Sequence, residues 1–592
     1  MKRKDGFGPI ESYAAIGDGR TVALVAADGS VDFMSLPSMH APTTFAALLD
    51  PENGGRFVLA PKGRFDASRR YVGRSNVLET TYRTGSGVVR VTEALTLQDG
   101  GLLPWVEHAR RIEGLDGTVE MEWRVEPRFD WGREAPRIVR RGDMLVAGGA
   151  GVRLAVHSWD AGEVRVESDT ALVGEFAICA GESSMLALAA SHEQPIHAPQ
   201  RDHVEARLDA TVRVWERWLA MWEYDGPWPE HVARSALALK LLIFAPEGSI
   251  AAAPTTSLPE IVGGEKNYDY RYAWVRDTAF TLDALMRLCV PEQVQQSFAW
   301  LLRAVRETAP DIRPFYSLVG GVPQRYETLD QFRGYRDSRP VRYGNAASNQ
   351  LQLGSWGDLI ETADLYVSEG NALDEDTGRM LADCVDRASV LWNDKDSGIW
   401  ELDELRHNTS SKMGVWMALD RAIRLAGEEQ LPAEHVPRWR DARDQLRAWI
   451  EGNCWSEELG AYRGWAGEEM LDASLLRALR MGYPERERLA STVDAIRRGL
   501  DAGEGLLYRT TEHIEREGAF VACSFWLVEA LARLGRVDEA REEMEKTLAH
   551  ANDVGLFSEQ IDPKSGAFLG NFPQGLSHLA LISAAGAIQD AS

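Results

Sequence analysis

One segment of the chain combines aromatic and charged side chains in a way that suits ligand binding. Between Leu258 and Phe280, three tyrosines and a tryptophan alternate with two arginines and two aspartates: Tyr268, Asp269, Tyr270, Arg271, Tyr272, Trp274, Arg276 and Asp277. Aromatic faces stack on sugar rings, and Arg and Asp in fixed geometry can read vicinal hydroxyls, since a site built to hydrogen-bond an OH rejects ligands that lack it. The same residues also fit a structural cluster of aromatics and ion pairs at a helix start, and residue types alone leave both interpretations open.

The elements that must position this segment begin with β-structure. Up to about residue 200, short alternating apolar runs at 21–26, 87–92, 119–125 and 152–157 are separated by Gly- and Asp-containing turns. Many short strands with such turns are typical of a sandwich. We therefore expect an N-terminal β-sandwich domain over residues 1–200.

The apolar period then becomes helical. Residues 201–222 form a charged amphipathic stretch, which predicts a linker helix over 201–228, and residues 229–592 carry apolar residues at i, i+3, i+4 spacing. Twelve helices in pairs suit an (α/α)6 toroid, in which loops at one end converge on the axis and supply the site. The predicted helices are 229–245, 276–290, 292–307, 346–369, 375–391, 412–426, 435–451, 470–481, 485–499, 519–534, 537–549 and 576–588.

Composition excludes several classes of function. The chain has 592 residues, enough for two domains or more, and its 44% hydrophobic and 26% charged content is that of a globular protein. A net charge of −25 argues against nucleic acid or an anionic membrane as partner. The N-terminus lacks the apolar core of a signal peptide and no apolar run reaches transmembrane length, so we expect a cytoplasmic protein.

The cysteines indicate neither a disulfide framework nor a metal site. Five are present, widely scattered and without a CxxC pair: Cys179, Cys289, Cys384, Cys454 and Cys523. Buried free thiols in a reducing compartment are the simplest interpretation. No metal-ligand spacing appears elsewhere, and we expect no metal and no cofactor.

Several motifs, in order along nearly the whole chain, resemble those of one family. The run Asn267–Phe280 is similar to the N(Y/W)DYRYxWxRDxxF signature of glycoside hydrolase family 15, which contains glucoamylases, a trehalase-like bacterial branch and related α-glucoside hydrolases. The resemblance implies an N-terminal β-sandwich and an (α/α)6 catalytic domain, in agreement with the patterns above. Further matching stretches are 13–20, 27–37, 334–345, 397–401, 517–520 and 570–581.

The resemblance implies which two carboxyl groups carry the chemistry. Hydrolysis of a glycoside uses a pair of carboxyl groups, one as acid and one as base. Glu401 matches the general acid of the family and follows Ile399 and Trp400, which would desolvate it and raise its pKa. Glu559, in a short apolar run, matches the general base. Taken singly, each would fit an exposed loop carboxylate.

The resemblance also implies substrate-binding residues. Arg276 and Asp277 match a pair that grips hydroxyls of the non-reducing glucose, and Tyr270 matches a tyrosine beside the catalytic water, with packing under the loop as the alternative. Arg509 matches an arginine near the sugar, and Trp400 belongs to the motif of the acid. Two assignments stay open: Trp356 lines the pocket or packs in the core, and Asp403 contacts the second sugar or caps a helix.

These observations lead to one functional expectation with alternatives. We expect an exo-acting, inverting α-glucosidase that releases β-glucose from short malto- or isomalto-oligosaccharides, with a small α-glucoside as its partner. The same-class alternative is α,α-trehalase. Trehalase-like relatives often carry His where this chain has Ile261, and Ser348 and Asn349 also vary, so the second sugar stays undetermined. An alternative of another class is a carbohydrate-binding protein on a hydrolase scaffold. A phosphorylase is disfavoured because it would lack Glu559.

Overall fold

The computed structural model describes residues 2–222 and 224–592. Its first part is one fifteen-stranded antiparallel sheet system whose main path runs β1-β2-β3-β5-β9-β15-β12-β11-β10. The strands are β1 Tyr13–Gly17, β2 Val22–Ala26, β3 Ser30–Ser35, β4 Thr43–Phe45, β5 Arg56–Pro61, β6 Phe65–Tyr71, β7 Leu78–Thr84, β8 Gly87–Leu95, β9 Val106–Glu126, β10 Arg137–Arg141, β11 Met144–Gly149, β12 Val152–Trp159, β13 Arg165–Glu167, β14 Ala171–Cys179 and β15 Ser183–His192.

The long strand β9 joins the two halves of this sheet system. Its first half pairs with β8 and β15, and its second half pairs with β5 and β14. The inward-facing side chains Met121, Trp123 and Val125 alternate with exposed or half-buried neighbours, as the period of a strand requires. The four predicted apolar runs lie in β2, β8, β9 and β12.

The second part of the chain is helical. Its α-helices are α1 Arg201–Leu219, α2 Pro229–Leu242, α3 Val275–Arg287, α4 Pro291–Arg306, α5 Gly354–Ser368, α6 Glu375–Leu391, α7 Thr409–Gly427, α8 Val436–Asn453, α9 Arg486–Gly499, α10 Val521–Arg533, α11 Val537–Leu548 and α12 Gly575–Ala591. Local chemistry sets their ends. In α6, for example, the Asp374 side chain caps the helix by accepting from Thr377 N at 3.0 Å.

Five of these α-helices and one 3₁₀ helix pack in a closed ring. In order, α3 contacts α5, α5 contacts α7, α7 contacts the 3₁₀ helix Ala473–Leu479, that helix contacts α10, and α10 contacts α12, which returns to α3. The helices α2, α4, α6, α8, α9 and α11 pack outside this ring. Helix α1 instead lies against β9 and β15. No helix of the described residues is long and apolar enough to cross a membrane.

The structure corrects three expectations. The predicted helix 346–369 is broken, with a 3₁₀ turn at Ala346–Asn349 and an α-helix only from Gly354. The predicted helix 470–481 is the 3₁₀ helix Ala473–Leu479. The cysteines are free, but Cys179 and Cys289 are exposed rather than buried, because they lie at a strand end and in the turn after α3.

Candidate active site

A cavity of about 730 Å³ lies at the N-terminal ends of the inner helices α3, α10 and α12. The loops before α5 and α7 complete its wall. Eight of the residues predicted for a site line it: Tyr270, Arg276, Asp277, Trp400, Glu401, Asp403, Arg509 and Glu559. Residues separated by up to 289 positions in the sequence thus meet in one pocket.

Trp356 is the exception among the predicted site residues. It lies in α5, is 1% exposed and does not line the cavity. The structure therefore places it in the core. The helix it was expected to share with residues 346–353 begins only at Gly354, and Trp356 lies in the first turn of α5, where its neighbours Ser355 and Gly357 are buried as well.

The loop that carries Glu401 is held in an unusual backbone conformation. Gly398 has φ +66° and Glu401 itself has φ +58°, a region that non-glycine residues rarely occupy. The buried Asp396 carboxylate anchors the loop by accepting from Leu353 N at 3.0 Å and Ser411 Oγ at 2.7 Å. Such strain persists only where the surroundings over-determine it, and it is frequent at functional sites.

The Glu401 carboxyl is held by one oxygen. Its Oε1 accepts from Trp274 Nε1 at 2.6 Å and from Gln352 Nε2 at 3.2 Å, and Arg276 Nη2 lies 4.0 Å away. Its Oε2 accepts no hydrogen bond from any residue that the structure describes, and the side chain lines the cavity. Burial raises the pKa of Glu401, against the opposing effects of Arg276 and the two donors. A proton on Oε2 would therefore face the cavity.

Glu559 stands at the end of a small sheet. Strand residues Gln560–Ile561 pair with Ala519–Phe520 on one side and Phe568–Leu569 on the other. Gly570 follows, with φ +71°, and a Cβ there would come within 2.3 Å of Glu559 Oε2. Only glycine allows the chain to turn this close to the carboxyl group.

The Glu559 carboxyl is buried beside a second acidic group. Glu559 is 2% exposed, and its Oε1 accepts a hydrogen bond from the Tyr270 hydroxyl at 2.7 Å. Burial, followed by the nearby charge of Glu260, raises the pKa of Glu559 to about 8, while the Tyr270 hydrogen bond opposes the shift. A carboxylate with this proton affinity is a much stronger base than an exposed one.

Arg276 and Asp277 form a pair at the start of α3. Arg276 donates from Nε to Asp277 Oδ2 at 3.2 Å and from Nη1 to the Ile399 carbonyl at 3.1 Å. Burial raises the pKa of Asp277, and the Arg276 guanidinium opposes that shift. The pair offers a forked donor and an acceptor to a hydroxylated ligand.

A chain of charged groups extends from Glu559 toward the outside of the pocket. Arg509 Nη2 contacts Glu260 Oε2 at 3.2 Å and Glu517 Oε2 at 2.7 Å, and Lys266 Nζ donates to the same Glu517 oxygen at 2.9 Å. Nearby, Trp400 donates to the buried Asp472, whose pKa burial raises to about 6. These contacts fix Arg509 and Trp400 against the cavity wall.

Sequence reasoning missed three groups that touch this site. Trp274 and Gln352 donate to Glu401, and Glu260 lies beside Glu559. Trp274 belongs to the aromatic segment and Glu260 directly precedes Ile261, so the motifs contained a signal for both. Gln352 lies in a stretch predicted as helix, and nothing in the residue types distinguished it.

The arrangement can perform general acid–base chemistry. Among the carboxyl groups that line the cavity, Glu401 and Glu559 both have a raised proton affinity, and the Oε2 of each accepts no hydrogen bond from another side chain that the structure describes. In the part of the chain that the structure covers, no group of three or more His, Cys, Asp or Glu side chains could hold a metal ion.

The chain matches known proteins over almost its full length. The model of the family described as glycosyl hydrolases family 15 matches residues 226–586, and the one described as trehalase-like, N-terminal matches residues 5–172. The trehalase of Mycobacterium tuberculosis is 34% identical over 617 residues, covering 98% of this chain and 89% of that protein. The trehalase of Mycolicibacterium smegmatis is 33% identical, with 98% and 91% covered, and that of Thermoplasma volcanium 30% identical, with 99% and 94% covered.

A solved structure shares the fold. A bacterial glucoamylase complexed with acarbose superposes with a TM-score of 0.72 at 12% identity, covering 100% of this chain and 95% of that one. The order of a β-sheet-rich part followed by a helical part is therefore that of the glucoamylase fold.

Proposed function

This chain belongs to glycosyl hydrolase family 15 and is a glycoside hydrolase, and we propose that its substrate is α,α-trehalose. The full-length similarity to trehalases at 30–34% identity carries this proposal. It supports the trehalase alternative better than the malto- and isomalto-oligosaccharides expected first from the sequence. The likeness to a glucoamylase bears on the fold alone.

The contacts of Glu401 support its role as general acid. Its Oε2 is free toward the cavity while Oε1 is held by Trp274 and Gln352. In the proposed reaction Oε2 gives its proton to the oxygen between the two glucose rings as the bond from C1 to that oxygen breaks. The departing glucose keeps its α-configuration.

The contacts of Glu559 support its role as general base. A water on the opposite face of the attacked ring bonds to C1 and loses a proton to Glu559, which gives β-glucose. Tyr270 holds Glu559 Oε1 in place. The Arg276–Asp277 pair would bind hydroxyls of the attacked glucose, and Arg509, Trp400 and Asp403 would contribute the remaining wall.

The ring of helices suits this chemistry. We propose that the six inner and six outer helical elements form the (α/α)6 toroid expected from the sequence, over residues 229–592, with 1–200 as the β-domain and 201–228 as a helical linker. Such a pocket admits the end of a sugar and favours removal of one glucose at a time.

A panel of disaccharides tests the substrate. We expect kcat/KM to be highest for trehalose among trehalose, maltose, isomaltose, nigerose and kojibiose, measured by glucose release. Glu401→Gln supplies the background. Faster hydrolysis of maltose or isomaltose would overturn the substrate and leave the family unaffected.

A further inference from the structure

A buried arginine, Arg271, links the β-sheet part of the molecule to the segment that carries Tyr270 in the active site. Arg271 lies directly after Tyr270, is 1% exposed and does not line the cavity. Its guanidinium donates to the carbonyl groups of Ala41 at 2.7 Å and Met39 at 3.2 Å, both in the loop between β3 and β4. It also stacks over the ring of Trp131, 4.6 Å from the centroid.

We propose that Arg271 is a positioning residue, through which the β-sheet part of the chain holds the Tyr270 hydroxyl on Glu559. This inference rests on the roles proposed above for Tyr270 and Glu559. It assigns to the N-terminal part of the chain a task in the reaction.

The backbone around Tyr270 makes the coupling direct. Asn267–Asp269 is a strand paired with Thr256–Pro259, and the extended pairing continues through Tyr270, whose carbonyl accepts from Ala253 N at 3.1 Å. In extended backbone, successive side chains point to opposite sides. Asp269 and Arg271 therefore face the β-sheet part, while Tyr270 between them faces the cavity.

Asp269 and Arg271 pair with each other on the side of the backbone opposite to the Tyr270 side chain. Arg271 donates to Asp269 through two bonds, Nε to Oδ1 at 2.9 Å and Nη2 to Oδ2 at 2.8 Å. Asp269 Oδ2 also accepts from Gly344 N at 3.1 Å, in a loop that borders the pocket. This forked pairing leaves Nη1 for the two carbonyl groups, so four of the five N–H groups of the guanidinium bind Asp269, Met39 and Ala41.

Lysine cannot reproduce this arrangement. Its ammonium is a point charge without the planar fork, so it could keep the charge beside Asp269 but not the paired bonds, the two carbonyls and the stacking together. In Arg271→Lys, Tyr270 would lose its fixed distance from Glu559. Small misplacements of catalytic groups cost up to about a hundredfold in rate, and we expect roughly a tenfold fall in kcat on trehalose.

The pH profile separates this role from a loss of stability. The Tyr270 hydroxyl favours ionised Glu559, so loosening it should move the acidic limb of kcat/KM to higher pH. A variant that merely unfolds more easily lowers the melting temperature and the amount of active enzyme but leaves the limb in place.

A double-mutant cycle is the decisive test. We expect Tyr270→Phe and Arg271→Lys each to lower kcat, and Tyr270→Phe/Arg271→Lys to be no slower than Tyr270→Phe alone, because Arg271 acts through the tyrosine. Additive losses, or an Arg271→Lys enzyme with an unmoved acidic limb, would overturn the proposal. A Tyr270→Phe enzyme with normal kcat would instead contradict the proposed function.

The chain offers a matched control and a second variant. Arg234 in α2 is a half-buried arginine that likewise donates to a carbonyl of the β-sheet part, Ser75 O at 3.0 Å in the loop between β6 and β7, and stacks on the ring of Tyr71 at 4.0 Å. Arg234→Lys should leave the pH profile unchanged. If Arg271→Lys does not fold, Trp131→Leu removes the stacking from the β-sheet side and should move the limb in the same direction.

Discussion

Both parts of the molecule bury carboxyl groups, but they treat the charge in opposite ways. In the β-sheet part, Asp32 accepts from Arg3 and Tyr13 at 2.7 Å each, and Glu93 accepts from His108 and Arg110 at 2.9 Å each. The pKa of Asp32 and the pKa of Glu93 are both lowered, because these partners outweigh burial.

In the cavity, burial has a larger effect on the pKa of the carboxyl groups than their hydrogen-bonding and charged partners have. The pKa values of Glu260, Asp277, Glu401 and Glu559 are all raised, since each has fewer or more distant positive partners than its burial demands. Burial also raises the pKa values of carboxyl groups outside the cavity, such as Asp358, Glu361 and the loop anchor Asp396. Position in the cavity, together with a raised pKa, therefore distinguishes Glu401 and Glu559, for which we propose roles in the reaction, whereas Asp32 and Glu93 are ion-paired within the β-sheet part.

The largest expected effect is on the rate. Glu401→Gln and Glu559→Gln should each lower kcat on trehalose by roughly 10²–10⁴-fold, the usual contribution of a general acid or base. The matched variant Glu93→Gln should keep kcat near that of the parent. Initial rates at saturating trehalose measure all three, and near-normal kcat in either cavity variant would show that the roles are wrongly assigned.

The free energy of unfolding should respond in the opposite way to the rate. Glu93→Gln should lower it, and Glu559→Gln should raise it at high pH. At pH 7, Glu93→Gln leaves Arg110 without its charged partner and should lower the free energy of unfolding by about 3 kcal/mol. Glu559 holds its proton more tightly in the folded state, so the parent loses stability as the pH rises from 4.5 to about 8. Glu559→Gln removes that loss and should be the more stable protein above pH 8. Urea unfolding of both variants at pH 5 and pH 8.5 measures this difference. Equal destabilisation of Glu93→Gln and Glu559→Gln would contradict it.

Much of this architecture could be read from the sequence, and the failures have physical causes. Helix α6 has the predicted bounds 375–391, because its cap and its apolar period agree. The predicted helix 346–369 fails at residues 350–353, where Gln350 donates to the Glu401 carbonyl and Gln352 to its carboxyl. Tertiary contacts with Glu401 override the local helical period there.

The site shows the same division. Motifs placed Glu401, Glu559 and the Arg276–Asp277 pair in advance, since each lies in a distinctive run of residues. The proximity of Glu260 to Glu559 joins positions almost 300 residues apart, and only the fold reveals it. For Trp356 the sequence left both the pocket and the core open, because a tryptophan in a helix suits either, and the structure places it in the core.

A smaller effect should distinguish the two ends of the cavity. Asp277→Ala leaves Arg276 without its partner and removes an acceptor, which costs on the order of 1–3 kcal/mol for a buried charged group. The loss in kcat/KM should be equal for trehalose and maltose, because both present the same non-reducing glucose. The exposed Asp403 should instead change the ratio between these substrates when replaced by Ala. The reverse pattern would mean that the two subsites are exchanged.

The pH dependence of kcat/KM also compares the two parts of the molecule, since a cavity variant should shift it and a β-sheet variant should not. In the free enzyme kcat/KM should rise with pH as Glu559 loses its proton, with a midpoint near pH 8. Replacing Glu260 by Gln removes a neighbouring negative charge and should move this limb to lower pH. Glu93→Gln, in the β-sheet part, should not move it. An acidic limb of kcat/KM that stays at the same pH in Glu260→Gln would show that the cavity carboxyl groups do not interact as described.

The central claim is that this enzyme hydrolyses trehalose with inversion through Glu401 and Glu559. Proton NMR of the first turnovers in ¹⁸O-labelled water, with ¹³C NMR to locate the label by its isotope shift at C1, tests it directly, because trehalose has no free anomeric centre before cleavage. We expect equal initial amounts of α- and β-glucose, with the label only in the β-anomer. Release of α-glucose alone would contradict inversion, and an absence of glucose from trehalose would contradict the substrate.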